Sequence, residues 1–139
     1  MLKETIKYTD YNGLDRTEDF YFNLSKAELL RMEMSTVGGY AEMIEGLINA
    51  QDTPAVYAIF EELILKAYGV KSADGREFTK SEDLKTKFSQ TEAYSNLIMK
   101  LVTDANAAAK FINGLMPQDL VAQVQKEQKN AASEQTSLE

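Results

Sequence analysis

The sequence contains no cysteine, histidine or tryptophan, and only two prolines occur among its 139 residues. Without histidine or cysteine the chain lacks imidazole acid–base catalysis, Ser–His and Cys–His nucleophile pairs, the usual zinc ligands and any disulfide. These absences favour a binding or assembly role over catalysis. We therefore expect a protein that is not an enzyme and that needs no cofactor or metal.

Long apolar runs and an excess of positive charge are also missing. No stretch approaches the roughly 20 apolar residues that cross a bilayer, and residues 1–10 contain no continuous apolar signal segment. The net charge is −7 and the isoelectric point is near 4.7. An acidic surface disfavours nucleic acids and anionic membranes as partners, so we expect neither, and we expect a cytoplasmic location.

The remaining composition is that of one folded domain. Apolar residues make up 44% of the chain, and its length suffices to bury a core without disulfides or metal. After Val124 the composition becomes polar, rich in Gln, Lys, Glu, Ser and Asn. We predict a single domain over residues 1–124 and a polar, flexible tail over residues 125–139.

Residues 1–22 are predicted to form a β-hairpin. Polar and apolar residues alternate from Leu2 to Tyr8, and an Asn12-Gly13 pair follows, which is a strong hairpin signal. A two-stranded ribbon is marginal in water. The hairpin must therefore pack on the rest of the chain or pair with another subunit, and its two edges carry no proline that would block pairing.

From Ser25 the apolar period changes to that of helices, and residues 25–117 are predicted to form a body of five or six helices. The fold class is therefore α+β. The most apolar helix begins near Pro54 and ends at Gly69, and we expect it at the centre of the core. The predicted helix starts are Ser25 with Glu28, Thr53, Ser81, Ser89 with Glu92, and Thr103.

Few residues suggest chemistry. The carboxylate doublets Glu61-Glu62 and Glu82-Asp83 point in different directions on a helix and are typical of a solvated face. The segment 10–21 lacks the Glu that a calcium loop needs at its last position. Gly38-Gly39 lacks the Lys and Ser/Thr of a phosphate-binding loop and is predicted to separate two helices.

Two groups of residues are candidates for contact with a protein partner. Met32, Met34 and Met43 lie on two successive helices, where flexible thioethers could line a groove for a partner helix or could fill the core. The aromatic residues Phe20, Tyr21 and Phe22 could likewise contact a partner or fill the core. Strand alternation places Tyr21 on the opposite side from its two neighbours, so the three side chains do not share one face.

The overall pattern resembles the tail assembly chaperones of long-tailed (siphovirus-type) bacteriophages and prophages of Gram-positive bacteria. The resemblance covers residues 1–117 and is carried by four segments of this acidic chain. They are the hairpin start 5–13, the helix start 25–29, the segment 88–94 and the segment 108–115 before the polar tail.

The resemblance implies a non-catalytic role in tail morphogenesis. Such chaperones bind the tape measure protein, a very long helical chain, and keep it soluble in the host cytoplasm until tube protein polymerises around it. Many have a frameshift-extended form that recruits the tail tube protein, and the chaperone is absent from the mature virion. Copies bound side by side along one chain also favour homo-oligomers, for which the hairpin edge is a candidate.

Two other functions fit the same residues. A structural virion component, such as a tail or head completion protein, would remain in the finished particle, whereas a chaperone would leave it. A regulatory adaptor that binds another helical target is the third possibility. Enzymatic activity is the least compatible with the composition.

Overall fold

The computed structural model describes residues 1–116, which form a four-stranded antiparallel sheet and six helices. The prediction of an α+β fold with an N-terminal hairpin and a helical body is confirmed. The predicted domain boundary at residue 124 and the predicted tail over residues 125–139 lie outside the described residues. No helix in the described part of the chain is long and apolar enough to cross a membrane.

The hairpin consists of β1 (Leu2–Thr9) and β2 (Asp15–Phe22), paired from Leu2 opposite Phe22 to Thr9 opposite Asp15. Gly13 at the turn has a φ of 81°, a value that glycine adopts without strain. Ile6 and Phe22 are buried on the inner face of the ribbon, whereas the outer face is solvated. The alternation predicted from the sequence is therefore present.

The sheet has two more strands than the predicted ribbon. β3 (Tyr68–Lys71) pairs with the end of β2, and β4 (Phe78–Thr79) pairs with β3. The prediction that Gly69 ends a helix is wrong, because Gly69 lies within β3. A Cβ there would be 2.5 Å from the Phe78 ring and 2.7 Å from the Thr79 carbonyl oxygen, so only glycine fits between these strands.

The helices are α1 (Lys26–Ser35), α2 (Tyr40–Asn49), α3 (Thr53–Ala67), α4 (Glu82–Ser89), α5 (Glu92–Thr103) and α6 (Ala105–Leu115). The capping box of Ser25 and Glu28 is present at α1, and Ser81 caps α4. Both starts were predicted. The Ser25 and Ser81 hydroxyls each accept a hydrogen bond from a backbone N–H of the first turn, and the Glu28 carboxylate accepts one from the Ser25 N–H.

Three predicted helix starts are wrong by one or two residues. Asp52, not Thr53, caps α3, and Thr91, not Ser89, caps α5. Asp104, not Thr103, caps α6, because its carboxylate accepts from two N–H groups while the Thr103 hydroxyl donates to the Met99 carbonyl. In each case two cap-forming residues lie one or two positions apart, and the sequence pattern alone does not choose between them.

The core lies between the inner face of the sheet and the helices. α5 packs against β1, α3 and α6, and the largest fully buried side chains include Phe22, Phe60 and Phe111. The prediction that α3 lies at the centre is confirmed, since Phe60, Leu63 and Ile64 are fully buried. Gly114 lets α6 approach the sheet closely, because a Cβ there would meet the Leu2 side chain at 2.6 Å.

Candidate partner-binding surfaces

The α1–α2 turn is built around the carboxylate of Glu33, which is buried. Its Oε1 accepts a hydrogen bond of 3.0 Å from the backbone N–H of Tyr40, in the first turn of α2. Gly38 and Gly39 have φ values of 80° and 93°, and a Cβ on Gly39 would lie 2.6 Å from Glu33 Oε2. The Gly-Gly pair thus permits the turn that brings the N-terminus of α2 onto this carboxylate, where the helix dipole favours negative charge.

This turn leaves apolar side chains in solvent. Leu30 and Met34 lie one helical turn apart on α1 and are 39% and 70% exposed, and Val37, in the turn itself, is fully exposed. We call Leu30, Met34 and Val37 the corner patch. Scattered exposed hydrophobic residues are ordinary, but neighbouring ones at a turn between two helices are typical of an interaction surface.

The three methionines predicted as partner contacts occupy different environments. Met34 belongs to the corner patch, and Met43 is half-buried on α2, where it packs against the core. Met32 is only 6% exposed and is a core residue. The two interpretations left open by the sequence therefore apply to different methionines, since one fills the core and another faces solvent.

The aromatic residues at the end of β2 also differ in their burial. Phe22 is fully buried and Phe20 is half-buried, and both rings contact Phe88 of α4, with centroids 5.8 and 5.2 Å away. Tyr21 lies on the opposite face, with Lys71 Nζ 6.0 Å from its ring centroid. The structure thus places Phe22 in the core, because strand alternation turns it toward the helices, and leaves Tyr21 on the surface.

Sequence reasoning did not identify Phe88 as the centre of an aromatic cluster. Its ring also stacks on Tyr68 at 4.1 Å and meets Tyr94 edge-on at 5.7 Å. The sequence shows Phe88 as one of two apolar positions, with Leu84, in the short helix α4. The partners of its ring come from β2, β3 and α5, which only the fold brings together. This cluster anchors the aromatic end of the hairpin on the helical body.

The hairpin tip is held separately. The Tyr11 hydroxyl donates to the carbonyl of Gln90 at 2.9 Å, which ties the turn to the α4–α5 junction. Arg16 Nε lies 2.6 Å from Asp10 Oδ2, and this hydrogen bond holds the pKa of the Asp10 carboxyl below its usual range. The segment that superficially resembles a calcium loop is therefore an ion-paired turn.

Tyr94, which is buried, and Tyr40, which is half-buried, show the largest pKa shifts among the described tyrosines. Burial, followed by the charge of Glu62, raises the pKa of Tyr40 to about 12. Burial, followed by the charge of Glu61, raises the pKa of Tyr94 to about 12. Both phenols therefore stay neutral over the physiological range.

The acidic doublets are arranged as a solvated helix face. Glu82 and Asp83 pair with Lys85 and Lys87 on the exposed side of α4. Among residues 1–116, no three or more His, Cys, Asp and Glu side chains are grouped so that they could hold a metal ion.

A shallow groove of about 330 Å³ lies between α2 and α6. It is lined by residues that include Ile48, Ile112, Glu45, Asn49 and Asn113. Its lining contains none of the residues predicted to contact a partner. Of the residues predicted to contact a partner, Met34 lies in the corner patch, whereas Phe20 and Tyr21 line a separate cavity of about 380 Å³ beside β3.

Comparison with known proteins gives one match. A family model described as phage tail assembly chaperone matches residues 1–139. Searches of curated proteins and of solved structures gave no significant match.

Proposed function

The chain belongs to the phage tail assembly chaperone family, and from this premise we propose that it binds the tape measure protein and keeps it soluble during tail morphogenesis, without catalysis. The observation that carries the proposal is the family match along the whole chain. The exposed corner patch supports it, because a chaperone for a long amphipathic helix needs apolar contact area on a soluble body.

The partner surface is the corner patch, extended by the accessible parts of Met43, Phe20 and Tyr21. Met34 supplies a flexible and polarisable side chain that adapts to different apolar neighbours along a partner. Phe22 and Met32, which were candidates from the sequence, are not included because both are buried in the free chain. The net charge of −7 keeps the complex in solution.

The remaining features of the proposal follow from the same role. The tail tube protein is recruited through a frameshift-extended form, and copies of the chaperone associate with one another along the partner. The protein acts in the host cytoplasm and is absent from the mature virion. Mass spectrometry of purified particles tests this last point, since a structural virion component would be found in them.

Coexpression with the tape measure protein tests the function. The wild type should raise the soluble yield of the partner several-fold. The double variant Met34→Gln, Val37→Ser should lose most of that gain, because both changes remove apolar contact area without touching the core. Met99→Gln is the matched control, since Met99 is 64% exposed on α5, outside the corner patch.

The results of coexpression test the proposed function and the assignment of the corner patch separately. If the wild type gives no gain in soluble partner, the proposed function is wrong. If the double variant melts like the wild type and still rescues the partner fully, the function stands and the corner patch is not the binding surface.

A further inference from the structure

The hydrogen bonds of the hairpin show which backbone groups of β1 face outward. Asp10 N–H donates to the Leu14 carbonyl across the hairpin at 2.8 Å, while the Lys7 carbonyl accepts from the Asn96 side chain at 3.0 Å. In an antiparallel pair, successive residues point alternately toward the partner strand and away from it. The even-numbered residues of β1 therefore bond to β2, and Lys3, Thr5, Lys7 and Thr9 direct their N–H and C=O groups to the free edge.

Within residues 1–116, no strand pairs with this edge. β3 covers the other side of the hairpin at Tyr21 and Phe22, but β1 is the outermost strand of the sheet. Among residues 1–116, the amide of Asn96 is the one side chain that bonds to the outward backbone groups of β1. An unpaired edge strand without proline is a template for another strand.

We propose that β1 pairs antiparallel with β1 of a second copy of this chain, with Ile6 opposite Ile6 of that copy. The resulting dimer has a two-fold axis through the centre of the strand pair and a single continuous sheet. The proposal rests on the edge itself and is independent of which partner the chaperone binds.

Charge favours this register over those centred on Glu4, Thr5 or Lys7. Centring the pair on Thr5 would place Lys3 opposite Lys7, and centring it on Glu4 or Lys7 would place each of these residues opposite itself; like charges in such positions are destabilising. With Ile6 at the centre, Thr5 faces Lys7, Lys3 faces Thr9, and Glu4 faces Tyr8. No like charges then meet, and Lys3 and Lys7, which take part in none of the ion pairs among residues 1–116, face threonine hydroxyls.

Asn96 competes with the second copy. In the proposed register the Lys7 carbonyl accepts from Thr5 N–H of the other copy, so the Asn96 amide must release it. Because the two-fold axis uses the Lys7 carbonyl of both copies, Asn96→Ala should tighten the dimer roughly 30-fold, the ratio that corresponds to two hydrogen bonds of about 1 kcal/mol each.

Disulfide mapping tests both the pairing and its register, because the chain has no cysteine of its own. Directly opposite residues in such a pair have Cα atoms about 5.5 Å apart, which is within the range for a disulfide. A mixture of Thr5→Cys and Lys7→Cys proteins should cross-link at least about tenfold faster than either protein alone under mild oxidation. Cross-linking of Thr5→Cys alone at the same rate would contradict the register.

Proline substitutions test the pairing without cross-links. Thr5→Pro removes an outward N–H of β1 from each copy, and therefore two hydrogen bonds per dimer, so it should weaken association roughly 30-fold. Thr17→Pro is the matched control, since Thr17 lies on the outer face of β2 and its N–H faces the opposite edge. Both variants must melt cooperatively, and mass is followed by sedimentation from the 15.6 kDa monomer upward.

The experiments on β1 pairing can fail independently of the coexpression test of the proposed function. A wild type that stays monomeric at hundreds of micromolar, or equal association by Thr5→Pro and Thr17→Pro, would overturn the pairing. Failure to rescue the tape measure protein would overturn the proposed function and would leave the cross-linking result unaffected.

Discussion

At the residue scale, two glycines seven positions apart, one at the start of α2 and one inside it, should respond oppositely to substitution by alanine. Gly39 has a φ of 93° and faces the Glu33 carboxylate, whereas Gly46 lies inside α2 with nothing near its missing Cβ. We predict that Gly39→Ala lowers the free energy of unfolding by about 1–3 kcal/mol, since the left-handed backbone and the collision both oppose it. Gly46→Ala should raise it by roughly 0.5–1 kcal/mol through helix propensity.

Chemical denaturation of the two variants and the wild type measures this difference. The prediction fails if both glycine variants are destabilised equally, because that result would mean that Gly39 contributes no more than any other glycine of the region.

The tyrosines with raised pKa values give a second prediction at this scale. Tyr40 and Tyr94 have pKa values of about 12 in the folded chain, raised above the ordinary value of 10.0. Because the folded state disfavours the ionised phenols, their stabilising contribution is complete below about pH 10 and is lost as the pH rises toward 12. The free energy of unfolding should fall by roughly 1 kcal/mol per tyrosine between about pH 9 and 11.

Urea unfolding at the two pH values measures this loss. The double variant Tyr40→Phe, Tyr94→Phe should show a smaller loss than the wild type, because its rings cannot ionise. An unchanged pH dependence in the double variant would show that other groups cause the alkaline destabilisation.

At the scale of elements, the hairpin and the six helices could be predicted from the sequence, and β3 could not. The hairpin has a period of two residues and an Asn-Gly turn, and the helices have clear apolar periodicity. β3 follows α3 without a break, so Tyr68 continues the helical apolar pattern. What determines the strand is pairing with β2 and the close approach at Gly69, and both are contacts between distant parts of the chain.

The candidate surface, like the fold, could be predicted only in part from the sequence. The sequence identified Met34 and Tyr21 together with Met32 and Phe22, since helical and strand periodicity give spacing but not which face the core covers. The exposure of Val37 depends on the turn that Glu33 and the two glycines set, and the aromatic cluster depends on four elements meeting at Phe88.

At the scale of the whole molecule, the corner patch and the free edge of β1 belong to different layers of the fold. The patch lies on α1 and the turn that follows, and the edge is the outermost strand of the sheet. A dimer formed through β1 would therefore present two corner patches without covering either with the pairing strand. Two linked sites bind a long partner more tightly than one, since the first contact raises the effective concentration of the second.

This geometry predicts that dimer formation affects long partners and not short ones. Thr5→Pro should require about tenfold more chaperone than the wild type to keep a long, repeated helical partner in solution, because it loses the second site. Binding to a short peptide with a single apolar helix face should be unchanged, since that peptide uses one patch. Thr17→Pro should match the wild type in both assays, and solubility titrations and peptide binding measure the two cases. An equal loss by Thr5→Pro on the long and the short partner would show that the substitution acts on the patch or the fold, and not through the loss of the dimer.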